Sequence, residues 1–162
     1  MKAAVTQIRG RALVLGLLGS CALIAAAPVA SAQASGASIK QVLKEDIPKI
    51  TAEEAKFVAA LSEYEKTGDV TPVEESLDAN IALLQEVRKE IGKQSAENKR
   101  VRRARSEIKR ALQRVIGAYR HLKAAFNVKS TNPKAAKRKA KAALKAIGKA
   151  DKELTQAAKL LE

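Results

Sequence analysis

Between residues 101 and 161, large and small apolar residues alternate with a period of seven, and this pattern restricts the fold more than any other feature. The large positions are Val101, Ile108, Val115 and Leu122, followed by a second series of Ile147, Leu154 and Leu161 whose first position is occupied by Ala140. The alanine positions are Ala104, Ala111, Ala118 and Ala125, followed by Ala143, Ala150 and Ala157. The large and alanine positions of one segment together form one stripe, and we call the two stripes, one in each segment, the alanine seams. A period of seven keeps a stripe on one side of a helix, and alanine lets helix axes approach to the short end of roughly 8–10 Å. The pattern predicts two helices packed as a tight antiparallel hairpin.

The residues between 35 and 100 also favour helix. Ala, Lys, Glu, Leu, Gln and Arg dominate the chain after the first 34 residues, and these are the strongest helix formers. No segment alternates apolar and polar residues with period two, so no strand is expected. Together with the alanine seams, this composition predicts an all-α fold, an antiparallel up-and-down four-helix bundle.

Turn and cap residues give the expected helix limits. Thr71-Pro72-Val73-Glu74 has the pattern of a capping box, and Asn132-Pro133 has that of a second helix start. Gly68 and Gly92 are expected to end helices, and Ser95 is expected to begin one. The predicted helices are 38–66, 72–91, 96–127 and 133–161. The loops between them are short, which favours antiparallel neighbours.

Pro48 interrupts the first predicted helix. A proline inside a helix removes one backbone hydrogen bond and crowds the preceding turn, so it kinks or breaks the helix. Thr51-Ala52-Glu53-Glu54 follows it and resembles a further capping box. Because apolar residues on both sides of Pro48 stay near one helical stripe, the sequence leaves both a kinked helix and two separate helices open.

Five residues are expected to lie in the core for specific reasons. The chain has two Phe and two Tyr, and their helical spacing favours core packing over ligand binding. They are Phe57, Tyr64, Tyr119 and Phe126. Asn80 falls at an apolar position of the second helix, where a polar side chain can fix the register of neighbouring helices.

The first 34 residues have the pattern of a cleaved secretory signal peptide. Lys2, Arg9 and Arg11 form a basic start, and an uncharged apolar run covers 12–27. Small residues follow Pro28 and fit the small-x-small cleavage rule. The run is shorter than the roughly 20 residues of a membrane-spanning helix. We therefore predict a signal peptide at 1–34, a short disordered start at 35–37 and a helical-bundle domain at 38–162, in a secreted, periplasmic or cell-envelope protein.

A lipoprotein is the minor alternative. Leu18-Gly19-Ser20-Cys21 resembles the lipobox, in which the cysteine is acylated and becomes the first residue. Apolar sequence continues past Cys21 into a good cleavage site, which favours an ordinary signal peptide. Cleavage after residue 34 would remove the single cysteine, so disulfide bonds are not expected.

Charge is distributed unevenly along the chain. Residues 35–98 contain 8 Lys and Arg against 13 Asp and Glu, whereas residues 99–162 contain 20 against 4. The surplus of cations predicts a polyanionic partner, such as an anionic cell-envelope polymer or lipid headgroups. The residues proposed to bind it follow one side of the third and fourth helices: Arg100, Arg103, Arg110, Arg114, Lys134, Arg138, Lys141, Lys145 and Lys149. Sequence-specific nucleic-acid recognition is not expected, since the basic stretch lacks aromatic stacking residues and a base-reading motif.

Three other interpretations stay open beside polyanion binding. The basic side chains could be an ordinary solvated face, partly neutralised by the acidic helices. A periplasmic helical chaperone would hold unfolded clients on an exposed apolar surface. A structural module would use the alanine seams to join subunits into a homo-oligomer.

The sequence offers no pattern typical of an enzyme. The chain has one His, and its single Cys and single Met both lie in the predicted signal peptide. Haem ligation by Met and His and a di-iron site with two Glu-x-x-His motifs are therefore not expected. No glycine-rich phosphate loop or nucleophile elbow is present. We predict a non-enzymatic protein without cofactor or metal.

Overall fold

The computed structural model describes residues 36–162, which form four α-helices and, within that range, no strand. The helices are α1 (Ala37–Thr67), α2 (Thr71–Lys93), α3 (Lys99–Asn127) and α4 (Pro133–Leu161). They pack as a helical bundle, in agreement with the predicted all-α class. The predicted signal peptide, including Cys21, lies outside the described residues. None of these four helices has an apolar stretch sufficient to cross a membrane.

Helix α1 is a single helix that contains Pro48, so the alternative of two separate helices is wrong. Ile39, Leu43 and Phe57 lie on both sides of the proline and are all buried. Burial of this stripe compensates for the backbone hydrogen bond that proline cannot make. The Thr51 hydroxyl donates to the Ile47 carbonyl at 2.8 Å, so Thr51 bonds back into the helix and does not cap a new one.

Two glycines with positive φ lie immediately before and immediately after α1. Gly68 ends the helix as predicted, with φ +77° and its N–H donating to the Tyr64 carbonyl at 2.9 Å. Gly36 precedes the helix with φ +86° and is buried against α4. A Cβ at residue 36 would lie 2.5 Å from Leu161 Cδ2, so only glycine fits this close approach without displacing the leucine.

Three of the predicted helix limits need correction. Thr71 is the first residue of α2 and caps nothing, because Val70 occupies the N-cap position. Gly92 lies inside α2, which continues to Lys93, because the helical backbone accepts glycine at a modest cost. Asn98, not Ser95, caps α3, since its side chain accepts a hydrogen bond from the Val101 N–H at 2.9 Å.

The start of α4 agrees with the prediction. The Asn132 side chain accepts a hydrogen bond from the Ala135 N–H at 3.0 Å, and Pro133 is the first helical residue. Asparagine as the N-cap satisfies one free backbone donor, and proline loses nothing where no hydrogen bond is made. The five-residue connection 128–132 therefore joins two well-defined helix ends.

The most extensive helix–helix contact is between α3 and α4. All eight predicted seam positions of α3 are buried, and so are the seam residues of α4 except Ile147, which is half-buried. Helices α1 and α2 pack together, and α2 also packs on α3. Helix α3 thus lies at the centre of the bundle and contributes more buried residues than any other described helix.

The aromatic residues link α1 to α3. Phe57 and Tyr119 are buried with ring centroids 6.2 Å apart, and Tyr64 meets Phe126 edge-to-face at 5.3 Å. Lys129 places its ammonium 4.4 Å from the centroid of the Tyr64 ring. The predicted core role is confirmed for Phe57 and Tyr119, whereas Tyr64 and Phe126 are half-buried and pack against the edge of the core.

Asn80 is buried and links α2 to α1. Its Nδ2 donates to the Ser76 carbonyl at 2.9 Å and to the Glu53 carbonyl at 3.2 Å. Since the second acceptor belongs to the neighbouring helix, the amide holds one particular alignment of α1 and α2. The predicted role of Asn80 in setting the helix register is consistent with this geometry.

Replacement of Ala111 or Ala118 by leucine should destabilise the bundle by about 1–3 kcal/mol. Both alanines have no exposed surface, so a larger side chain must push α3 away from its neighbours. Urea denaturation monitored by circular dichroism measures the change. Ala142→Leu is the matched control, because Ala142 is exposed on α4 and should tolerate the same added volume. Equal midpoints for the Ala111→Leu variant and its parent would contradict the close packing.

Candidate polyanion-binding surface

All nine predicted basic residues are exposed on α3 and α4. Arginine and lysine side chains keep their charged ends in water while their methylene stems cover apolar surface. The buried seams fix the opposite sides of both helices, so the basic residues cannot turn inward. All nine therefore lie on the surface of these two helices.

Five of them form a continuous stripe on α4. Lys134, Arg138, Lys141, Lys145 and Lys149 recur at intervals of three or four residues, which places them on one helix face. The stripe extends over about 22 Å at 1.5 Å per residue. Residues 133–150 contain no Asp or Glu. We call these five residues the α4 stripe. Its own helix provides no neutralising charge along this length.

The four basic residues of α3 are more constrained. Arg114 makes two hydrogen bonds to the Glu153 carboxylate, at 2.8 and 2.9 Å, and Arg110 lies 3.6 Å from Glu107. Arg100 donates to the Lys159 carbonyl near the end of α4 at 2.9 Å. Part of the positive charge on α3 is therefore already used within the protein.

The structure does not gather the nine residues into one patch. Arg100 and Arg103 lie at the beginning of α3, about 40 Å along the helix from Asn127, where the connection to α4 begins. Lys134 and Arg138 lie just after that connection, at the beginning of α4. The surface therefore consists of the α4 stripe and a separate α3 group, not of a single cluster.

A second basic site was not predicted from the sequence. A pocket of about 390 Å³ lies where α2 meets α3. The residues that line it are of polar or cationic types: Arg88, Arg102, Arg105, Ser106, Lys109, Arg110 and Gln113. Only Arg110 belongs to the predicted set. The spacing of three or four residues from 102 to 113 was the available signal, but Arg88 comes from another helix.

Glu54 is a buried carboxyl group in the core whose pKa is raised. It is 2% exposed, and burial raises the pKa of its carboxyl to about 7, while the hydrogen bond from Tyr119 opposes the rise. The Tyr119 hydroxyl lies 3.3 Å from Oε1, and Oε2 is buried with no hydrogen-bond partner. Burial and the neighbouring carboxylate also raise the pKa of Tyr119. Glu54 lines neither of the two pockets described for residues 36–162.

The raised pKa makes the stability of the protein depend on pH. The folded state holds a proton on Glu54 more tightly than the unfolded state, so stability should fall as the pH rises from about 4.5 to about 7. Glu54→Gln cannot ionise, and at pH 8 it should be more stable than the parent by up to about 3 kcal/mol. Near pH 4.5 the two proteins should unfold at similar urea concentrations.

The control for this measurement is Glu63→Gln, an exposed position on the same helix. Urea denaturation of both variants across this pH range separates the contribution of Glu54 from that of other carboxylates. If Glu54→Gln keeps the pH dependence of the parent, Glu54 does not hold its proton in the folded state.

Comparison with protein-family models, with curated proteins and with solved structures finds no match for this chain.

Proposed function

We propose that this chain is an exported, non-enzymatic helical-bundle protein that binds an anionic cell-envelope polymer or surface through the basic residues of α3 and α4. The observation that carries the proposal is the α4 stripe, five exposed cations along about 22 Å of one helix face. A regular row of cations suits a polymer with repeated negative charges, because each charge can meet a cation without a shaped pocket.

The charge of the rest of the molecule supports this proposal. Lys123 with Asp78 and Arg114 with Glu153 are ion pairs between different helices. Within residues 36–162, ion pairs involve none of the five residues of the α4 stripe. Internal pairing therefore leaves the positive charge of α4 accessible to an external anion.

The proposed arrangement is an antiparallel bundle in which the polymer lies along the α3–α4 hairpin. Contacts between α2 and α3 support this direction: Asp78 meets Lys123, and Gln94 meets Arg105. As the residue numbers rise on α2 they fall on α3, as expected for antiparallel helices. The five-residue connection between α3 and α4 favours the same direction for that pair.

Export is the second part of the proposal and depends on the predicted signal peptide at 1–34. Among the alternatives, a chaperone would need an exposed apolar surface. Val58 is the one large hydrophobic residue exposed between residues 36 and 162. A single exposed side chain is ordinary for a soluble domain, so the described surface gives the chaperone alternative no specific support.

The test is the salt dependence of binding to dextran sulfate, a soluble anionic polysaccharide. The logarithm of the binding constant should fall linearly with the logarithm of the salt concentration, as it does for nucleic acids. The triple variant Arg138→Gln, Lys141→Gln, Lys145→Gln should lower the slope by about 2–3, since each ionic contact contributes just under one.

The matched control removes three exposed cations from the acidic half of the chain: Lys44→Gln, Lys66→Gln, Lys89→Gln. It has the same net charge as the test variant and should keep the parental slope. An equal loss in both variants, or binding that does not respond to salt, would show that the α4 stripe is not the binding surface.

A further inference from the structure

The pocket between α2 and α3 differs in kind from the α4 stripe. Five cations surround one cavity of about 390 Å³: Arg88, Arg102, Arg105, Lys109 and Arg110. Ser106 and Gln113 complete the lining with groups that can donate hydrogen bonds, and no acidic residue takes part. The volume lies at the lower end of the range typical of small-molecule sites. A cavity lined by five cations suits a compact anion better than a long polymer.

Helix packing holds the cations of the pocket in place. The Arg105 guanidinium donates to the Gln94 carbonyl at 2.5 Å, which anchors it against the end of α2. The Lys109 ammonium lies over Gly92, 3.5 Å from where a Cβ would stand. Arg110 donates a hydrogen bond to Ser106 Oγ at 3.4 Å and lies 3.6 Å from the Glu107 carboxylate. Arg105 and Lys109 are half-buried, whereas Arg102 remains exposed at the mouth.

Arg88 adds an unsatisfied donor to this cationic site. Its Nε is buried and has no hydrogen-bond partner within residues 36–162. A buried donor without a partner is costly, and an ion or water is the usual explanation in a native protein. Since Arg88 and four other cations line the cavity, an anion bound there would reduce the repulsion among their like charges.

We infer that this pocket is a binding site for a compact oxyanion of the phosphate class, carrying at least two negative charges. Four of the five cations are arginines, whose planar forks match the oxygens of a phosphate group in pairs. The lining arginines come from two helices, and their several donors suit a tetrahedral group better than a flat monocarboxylate. The site needs neither the α4 stripe nor the proposed polymer, so it goes beyond the proposed function. The phosphate group is either free or carried by a lipid headgroup.

The first test is calorimetric titration of the full chain with inorganic pyrophosphate at physiological ionic strength. One pyrophosphate should bind per chain. Arg102→Gln, Lys109→Gln should weaken binding at least about tenfold, because each removes a charged hydrogen-bond donor. The charge-matched control is Lys145→Gln, Lys149→Gln on the α4 stripe, which should change the affinity less than twofold. Thermal unfolding of each variant confirms that it is folded, and pyrophosphate should raise the Tm of the parent and of the control.

The outcomes separate the two proposals. Equal loss of pyrophosphate affinity in both double variants would overturn the proposed phosphate site and leave the proposal for the α4 stripe standing. The same holds if the parent protein binds neither pyrophosphate nor vesicles that contain phosphatidic acid. Loss of dextran sulfate binding in the α4 variants alone tests the polymer proposal and says nothing against the pocket.

The source of the phosphate group is distinguished with vesicles of phosphatidylcholine that contain phosphatidic acid. If the parent binds these vesicles, the Arg102→Gln, Lys109→Gln variant does not, and free pyrophosphate binds weakly, then the site takes a lipid-borne phosphate. Tight pyrophosphate binding without recruitment to vesicles assigns it to a free ligand. If the Arg102→Gln, Lys109→Gln variant binds the vesicles as well as the parent does, and the parent does not bind pyrophosphate, the proposal is overturned. Should Lys109→Gln prove unstable, Arg102→Gln alone serves, since Arg102 is exposed.

Discussion

The close packing of α3 on α4 is the contact on which the other features of the bundle depend. Ala104, Ala111 and Ala118 are completely buried, and so are Ala143, Ala150 and Ala157 on the partner helix. Small side chains bring the two backbones together, and many weak dispersion contacts then add up over several turns. This leaves the remaining sides of α3 to pack against α2 and, through long aromatic side chains, against α1. The central position of α3 is therefore a direct result of its alanine content.

The same packing concentrates positive charge. The two helices with the highest cation content are neighbours, while the acidic residues are concentrated on α1 and α2. The ion pair of Lys123 with Asp78 joins α3 to the acidic helix α2. Surface pairs of this kind contribute little to stability. The distribution of charge is thus better suited to attracting an external anion than to holding the helices together.

The helices could be predicted closely because their apolar periods and helix-forming residues act locally. The Asn132 cap and the Gly68 stop were also predictable, since each depends on a few adjacent residues. The cap of α3 was misassigned because Ser95 and Asn98 both suit an N-cap, and only the final path of the loop selects Asn98. Continuity through Pro48 depends on burial of the whole α1 stripe, which the local sequence does not reveal.

The candidate sites also differ in whether adjacent residues alone could predict them. The α4 stripe lies on one helix, so its spacing alone placed its residues on one face. The pocket could not be predicted in the same way, since it joins Arg88 of α2 to residues of α3 across a helix interface. Glu54 was likewise missed, because its raised pKa arises from burial beneath Tyr119, a residue 65 positions away. Sites formed by tertiary contacts require the arrangement of the helices as well as their sequences.

The fit of Gly36 against Leu161 has a consequence for the orientation of the molecule. The chain enters α1 and finishes α4 at the same pole of the bundle. The 128–132 turn and Lys134 lie a full helix length away, about 40 Å at 1.5 Å per residue. Anything that tethers the chain through its amino-terminal side would therefore hold the molecule by one pole and present the first turns of the α4 stripe at the far tip, directed away from the anchor.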